Sequence, residues 1–151
     1  MDRIDRGIVA ALQRDGRQKI AELSAAVGLS ATPCARRIAR LEDSGVITGY
    51  SARVDADKLG LPLTVFVFVE LDSHARPALD SFEKALRRFE EVMECHLMTG
   101  TRDVMLRVVA ADLAAFDTFL EDGLMQIPGI RSMRSSFALR TMIRRDALPT
   151  L

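Results

Sequence analysis

Arg36, Arg37 and Arg40 fall within five positions of one another. Their guanidinium groups can clamp phosphate or bridge the O6 and N7 atoms of guanine. On a helix, Arg36 and Arg40 share a face nearly opposite Ile38 and Leu41, with Arg37 on the flank. Thr32 and Ala35 extend that face toward the helix start, where small side chains let the backbone approach bases, and Ser30 lies just before it. A second group is Thr99-Gly100-Thr101-Arg102-Asp103. Gly100 adopts backbone angles closed to other residues, Asp103 can neutralise an ammonium group, and exposed turn amides can hold a carboxylate. Together they suit a free amino acid, although on residue types alone an ordinary hairpin is the simpler account.

Catalytic and metal chemistry find little footing. His74 and His96 are isolated in sequence, and His96 follows Cys95 in an apparent strand, so the two side chains point to opposite faces. There is no CxxC, HExxH or glycine-rich phosphate loop, and no cofactor or catalytic residue is assigned. Cys34 falls on the packed side of its helix, and Glu90-Glu91 reads as a solvated helix end. An RNA-binding sheet would need exposed aromatics on its central strands, and the run Val104 to Ala110 has none.

The elements that must position these groups follow from periodicity. Ile4, Ile8 and Leu12 mark one helix ended by Asp15-Gly16, and Ile20, Leu23 and Val27 mark a second, stopped by Gly28. A third opens at Ser30-Ala31-Thr32-Pro33, capped by Ser30 or Thr32, packs Cys34, Ile38 and Leu41, and ends at Gly45. Two short helices joined by Gly28-Leu29-Ser30, the second rich in arginine, are the pattern of a helix-turn-helix that places its second helix in the major groove of double-stranded DNA. Val46 to Val54 reads as a β-ribbon broken at Thr48-Gly49, either a wing touching the DNA backbone or a bridge to the rest of the chain.

Residues 55–62 look like a linker. Beyond it come a strand at Leu63 to Leu71, a helix at Ala78 to Phe89 and strands at Val92 to Met98 and Val104 to Ala110. A helix striped by Leu113, Phe116, Leu120 and Leu124 follows, then a strand from Ile130 to Ile143. The fold class is therefore α+β. A winged helix-turn-helix occupies residues 1–54, and a ferredoxin-like βαββαβ domain occupies 63–151. Two helices on one face of a four-stranded sheet leave the other face open, and a homodimer stacking two sheets would cover it.

Composition agrees. The net charge is zero, but residues 1–54 carry nine Lys/Arg against six Asp/Glu and the remainder carries twelve against fifteen. A basic unit joined to an acidic one suits a chain of which one half meets phosphate. No apolar run approaches a membrane span, the first residues do not form a signal peptide, and two cysteines in apolar settings fit a reducing compartment, so the cytoplasm is expected.

The motifs Asp2-Arg3-Ile4-Asp5, Val27-Gly28-Leu29-Ser30, Thr32-Pro33-Cys34, Arg37-Ile38 and Gly45-Val46-Ile47 resemble the leucine-responsive and asparagine-type (Lrp/AsnC) regulators. The later runs Val92 to Gly100 with Asp103, Ile127-Pro128-Gly129-Ile130 and Arg134 to Leu139 are similar to the effector domain of the same family. The resemblance covers almost the whole chain. It implies a sequence-specific transcriptional regulator that binds DNA as a dimer, assembles further into tetramers or octamers, and takes an amino acid or related metabolite between effector domains. By the same resemblance, Leu97, Thr99, Gly100, Thr101 and Asp103, together with Leu113 and Ser136 to Ala138, line or respond to that pocket. Arg102 inside the loop and Val104 after it depart from the family pattern, so leucine is not read from the family name. Sirohaem decarboxylases resemble the same two-domain family and provide the enzymatic alternative, for which His96 and Arg102 are the local candidates.

Overall fold

Asp2 and Asp5 start the first helix by capping each other: the Asp5 amide donates to Asp2 Oδ1 at 2.8 Å and the Asp2 amide to Asp5 Oδ2 at 3.2 Å. In the computed structural model, which describes residues 1–150, this helix is α1 (Arg3–Arg14), followed by α2 (Ile20–Ala26) and α3 (Ala31–Asp43). Gly28 and Gly45 end α2 and α3 with φ of 70° and 71°, a region costly for any side chain with a Cβ. Ile8, Leu23, Cys34 and Leu41 are buried in one cluster, flanked by Ile4, Leu12, Val27, Ile38 and Ile47. The expected helical stripes thus meet in a three-helix core. Ser30 is the N-cap of α3, but no side chain closes that end with a hydrogen bond.

The ribbon expected over Val46 to Val54 is absent, because nothing pairs with it: no strand lies between α3 and the sheet. The segment hangs on α3 instead. The Ile47 amide donates to Leu41 O at 3.0 Å, and Tyr50 Oη donates to Glu42 Oε1 at 2.9 Å. The helix-turn-helix is therefore without a β-wing.

Contacts divide the chain into two units, Met1–Arg53 with the tail from Met142, and Val54–Thr141. The tail belongs with the helical unit because Gln13 grips it by both ends of its amide. Gln13 Nε2 donates to Leu148 O at 3.1 Å and the Leu148 amide donates to Gln13 Oε1 at 2.6 Å. Asp146 adds ion pairs to Arg53 and Arg144.

The second unit runs β1 (Leu63–Leu71), α4 (Arg76–Leu86), β2 (Val92–Leu97), β3 (Val104–Ala110), α5 (Leu113–Thr118) and β4 (Ile130–Phe137). The sheet order is β2-β3-β1-β4, with every pairing antiparallel. Val65, Val67 and Val69 lie opposite Val108, Leu106 and Val104, and this face packs Phe82, Leu86, Phe116, Phe119, Leu124 and Ile127. The alternation puts Phe66 and Phe68 of β1, Met105 and Arg107 of β3 and Ser132, Arg134 and Ser136 of β4 on the other face, turned away from α4 and α5.

Two elements differ from expectation. β4 stops at Phe137 rather than Ile143: Ala138 donates the last rung to Thr64 O, and Met142 and Ile143 are exposed. After α5 the chain widens into a π-turn, Phe119–Gly123, and a 3₁₀ turn, Leu124–Gln126, which no stripe of fixed helical period anticipates. Phe119 is buried there, whereas Leu113 in the first turn is 63% exposed.

Candidate DNA interface and effector loop

The recognition-helix candidates separate by partner. Ser30, Thr32, Ala35, Arg36 and Arg40 are all exposed. Thr32, Arg36 and Arg40 follow one another at single-turn spacing, so they form one stripe up α3. Arg36 makes no ion pair among the described residues. Arg37 does not join the stripe. Its Nη1 donates to Asp2 Oδ2 at 2.6 Å and to Asp5 Oδ1 at 2.7 Å, with the side chain 25% exposed. Arg40 Nη2 donates to Asp5 Oδ2 at 2.7 Å while its side chain stays 63% exposed.

Asp5 is only 2% exposed. Burial pushes its carboxyl up, and the bonds from Arg37 and the Asp2 amide with the charge of Arg40 more than reverse that, leaving it below the usual aspartate range. Asp2 is also lowered, by the Asp5 amide and Arg37. Arg37 is raised in turn by the same two carboxylates. Reading α3 alone missed these partners. The signal was present: Asp-x-x-Asp just before an apolar run is the spacing of a capping box.

The candidate effector loop, Thr99 to Asp103, is bound down at its far end. The Met98 amide donates to Asp103 O at 2.8 Å and the Asp103 amide to Val69 O at 3.1 Å, which closes the β2–β3 connection onto β1. Asp103 Oδ2 accepts the Leu71 amide at 2.7 Å, and Oδ1 lies 2.7 Å from His74 Nε2. The Leu71 amide and His74 hold the Asp103 carboxyl below its usual value. Arg102 is paired with Glu70, whose other oxygen accepts Ser132 Oγ at 2.8 Å. Thr99, Gly100 and Thr101 remain exposed, and Gly100 has a φ of 124°.

His74, isolated in the sequence, is therefore brought against Asp103, and it also lines a groove of about 770 Å³ between α4 and β2. Leu97 and Val104 lie in that groove with Leu79, Phe82 and Cys95. Ser136 is not brought to the loop. It pairs with Phe66, five residues from Leu71 along β1 and so roughly 16 Å away along the strand, on the open face. His96 is exposed beside Glu94 at 3.3 Å. Among the described residues, no group of three His, Cys, Asp or Glu is placed to hold a metal, and no helix is long and apolar enough to cross a membrane.

Residues 1–42 match the AsnC-type helix-turn-helix domain, and residues 64–148 match the Lrp/AsnC ligand binding domain. The chain is 44% identical over 149 residues to the Bkd operon transcriptional regulator of Pseudomonas aeruginosa, covering 99% of this chain and 97% of that one. It is 41% identical over 148 residues to the leucine-responsive regulatory protein of Escherichia coli, covering 98% and 90%. A transcriptional regulator from Neisseria meningitidis, solved as its L-Met complex, superposes with a TM-score of 0.93 at 34% identity, covering 99% and 96%.

Proposed function

Since the chain belongs to the Lrp/AsnC family of transcriptional regulators, and is accordingly a DNA-binding regulator with a ligand-binding domain, we propose how its two sites divide the work. Double-stranded DNA is met by α3, with Ser30, Thr32 and Ala35 near the bases and Arg36 and Arg40 supplying positive charge. Arg37 serves the fold. The observation that carries this reading is the contrast between neighbours: Arg37 is tied to two carboxylates, while Arg36 stands exposed with no ion pair among the described residues.

The effector is a free amino acid held at Thr99 to Asp103. Asp103 is held through Oδ2 by the Leu71 amide and through Oδ1 by His74, and each carboxylate oxygen keeps a further lone pair for an ammonium group. The exposed turn around Gly100 offers amides to the carboxylate, and Leu97 provides apolar surface beside it. Ser136, on the open sheet face, contributes only where a second copy is brought up. The working form is a homo-oligomer, a dimer through that face with tetramers or octamers beyond it, acting in the cytoplasm. The relatives are regulators, which leaves the sirohaem-decarboxylase-like alternative without support.

A thermal-shift screen against the twenty amino acids tests the effector reading. A ligand at a hundredfold excess over its dissociation constant adds about 2.7 kcal/mol of stability. One or a few amino acids are expected to raise the melting temperature of the native chain and to leave Asp103→Ala unshifted. A flat screen, or an equal shift in the variant, would move the ligand elsewhere.

A further inference from the structure

Asp5 and Ser24 are the buried polar side chains among the described residues, and Asp5 alone of the two is charged. A carboxylate at 2% exposure is a costly choice in a three-helix core, tolerated only when its oxygens are fully engaged. Each oxygen of Asp5 is taken by a different arginine of the DNA-contacting helix: Oδ1 by Arg37 and Oδ2 by Arg40, both at 2.7 Å. The two arginines are held differently. Arg37 has a second carboxylate, Asp2, and is largely withdrawn from solvent. Arg40 makes its one bond through Nη2, so among the described residues Nε and Nη1 have no acceptor, and its side chain is 63% exposed. Arg40 itself follows Thr32 and Arg36 at single-turn spacing along α3.

We propose that Asp5 is a positioning residue for DNA recognition, buttressing Arg40 so that the free edge of its guanidinium meets a DNA phosphate in one fixed direction. This rests on the reading of α3 as the helix that meets DNA. A guanidinium is a rigid planar fork of five donors and can serve a carboxylate on one edge and a phosphate on the other. Phosphate contacts fix the register of a protein on the duplex. An arginine aimed by Asp5 therefore sharpens the preference for the correct site, whereas a freely rotating one adds charge without direction.

The full-length protein would be titrated onto two DNAs, a duplex that the native chain itself selects from a random-sequence pool and poly(dI-dC). In Asp5→Asn, binding to the selected duplex is expected to fall about tenfold, the scale of a well-placed polar contact. Binding to poly(dI-dC) should stay within about twofold, because the arginine charges remain. Arg40→Lys, which keeps a cation beside the buried Asp5, should reproduce the pattern because an ammonium lacks the second edge. In an Arg40→Ala background, adding Asp5→Asn should change selected-duplex binding by less than about twofold.

A merely structural Asp5 would weaken both DNAs in step with a fallen melting temperature, and its loss would cost as much without Arg40 as with it. Either result overturns the proposal, as does native affinity in Arg40→Lys. Arg36→Ala separates the two readings. If it too binds the selected duplex normally, α3 is not the contacting helix. If it fails to bind while Arg40→Lys binds normally, only the buttress is lost.

Discussion

Arg36 and Arg37 are adjacent and chemically identical, yet the fold gives them opposite surroundings, and the difference is set by a hundred degrees of helical rotation. Arg37 turns toward α1 and meets Asp2 and Asp5; Arg36 turns away. Arg36→Ala is therefore expected to cost about tenfold or more in DNA affinity with an unchanged melting temperature. Arg37→Ala should instead lower the melting temperature, since it strips the buried Asp5 of a bonded cation. Anisotropy titration and thermal unfolding on both variants distinguish the two. The same cluster sets an acid limit. Asp2 and Asp5 both titrate lower in the folded chain than an ordinary aspartate does. Their stabilisation is thus complete above the unfolded aspartate value of about 4 and is lost as pH falls through the folded values below it. Urea unfolding between about pH 6 and pH 3 should show a flat plateau followed by a drop, with a shallower drop in Asp5→Asn.

Among the elements, the turn that follows α5 is the most sensitive to a single added carbon. A Cβ built on Gly123 would stand 2.7 Å from Cε1 of Phe89, whose ring is pinned edge-on against Phe119 at 5.4 Å. Phe89 must give way for any side chain to fit, so Gly123→Ala is expected to destabilise the effector unit by about 1–3 kcal/mol in a denaturant melt. A cost near zero would show that the ring relaxes freely. This turn also marks where sequence reading stops. Helices and strands whose apolar residues recur at one fixed period were legible: Ile8, Leu23, Cys34 and Leu41 meet as their spacing requires, and so do Val65, Val67 and Val69. The π-turn breaks that period, which is why the stripe of Leu113, Phe116, Leu120 and Leu124 leaves out Phe119, which is buried. The ribbon after α3 failed for a different reason. Val46 to Val54 has strand-forming residues, but a strand also needs a partner, and pairing is a property of the whole fold. The candidate sites followed the same rule. The arginine stripe and the Thr99 to Asp103 turn are local patterns and could be read directly. The partners Asp2, Asp5 and His74 are distant in sequence and were found only once the chain was folded.

At the scale of the whole molecule, the open sheet face bears on the proposed dimer, which would present two DNA-contacting helices. A single recognition helix reads only a few base pairs, whereas a two-fold dimer reads two half-sites, and joining them raises affinity through effective concentration without new contacts. The face able to make that dimer carries Phe66 and Phe68 at its centre, opposite Arg107 and Met105 on β3 and Ser136 and Arg134 on β4. These rings point away from the core built by Val65, Val67 and Val69, so changing one disturbs association before it disturbs folding. Phe66→Glu places a carboxylate beside Arg107 at the middle of the proposed interface, where a stacked second sheet would have to bury it. The variant is expected to keep its melting transition, to sediment as a monomer, and to lose about a hundredfold or more in affinity for a two-half-site duplex. On a duplex carrying one half-site it should bind as the native chain does, because α3 is untouched. Native sedimentation in Phe66→Glu would place the dimer on another surface. Monomeric behaviour with undiminished two-site affinity would show that the paired helices are joined by some route other than the sheet.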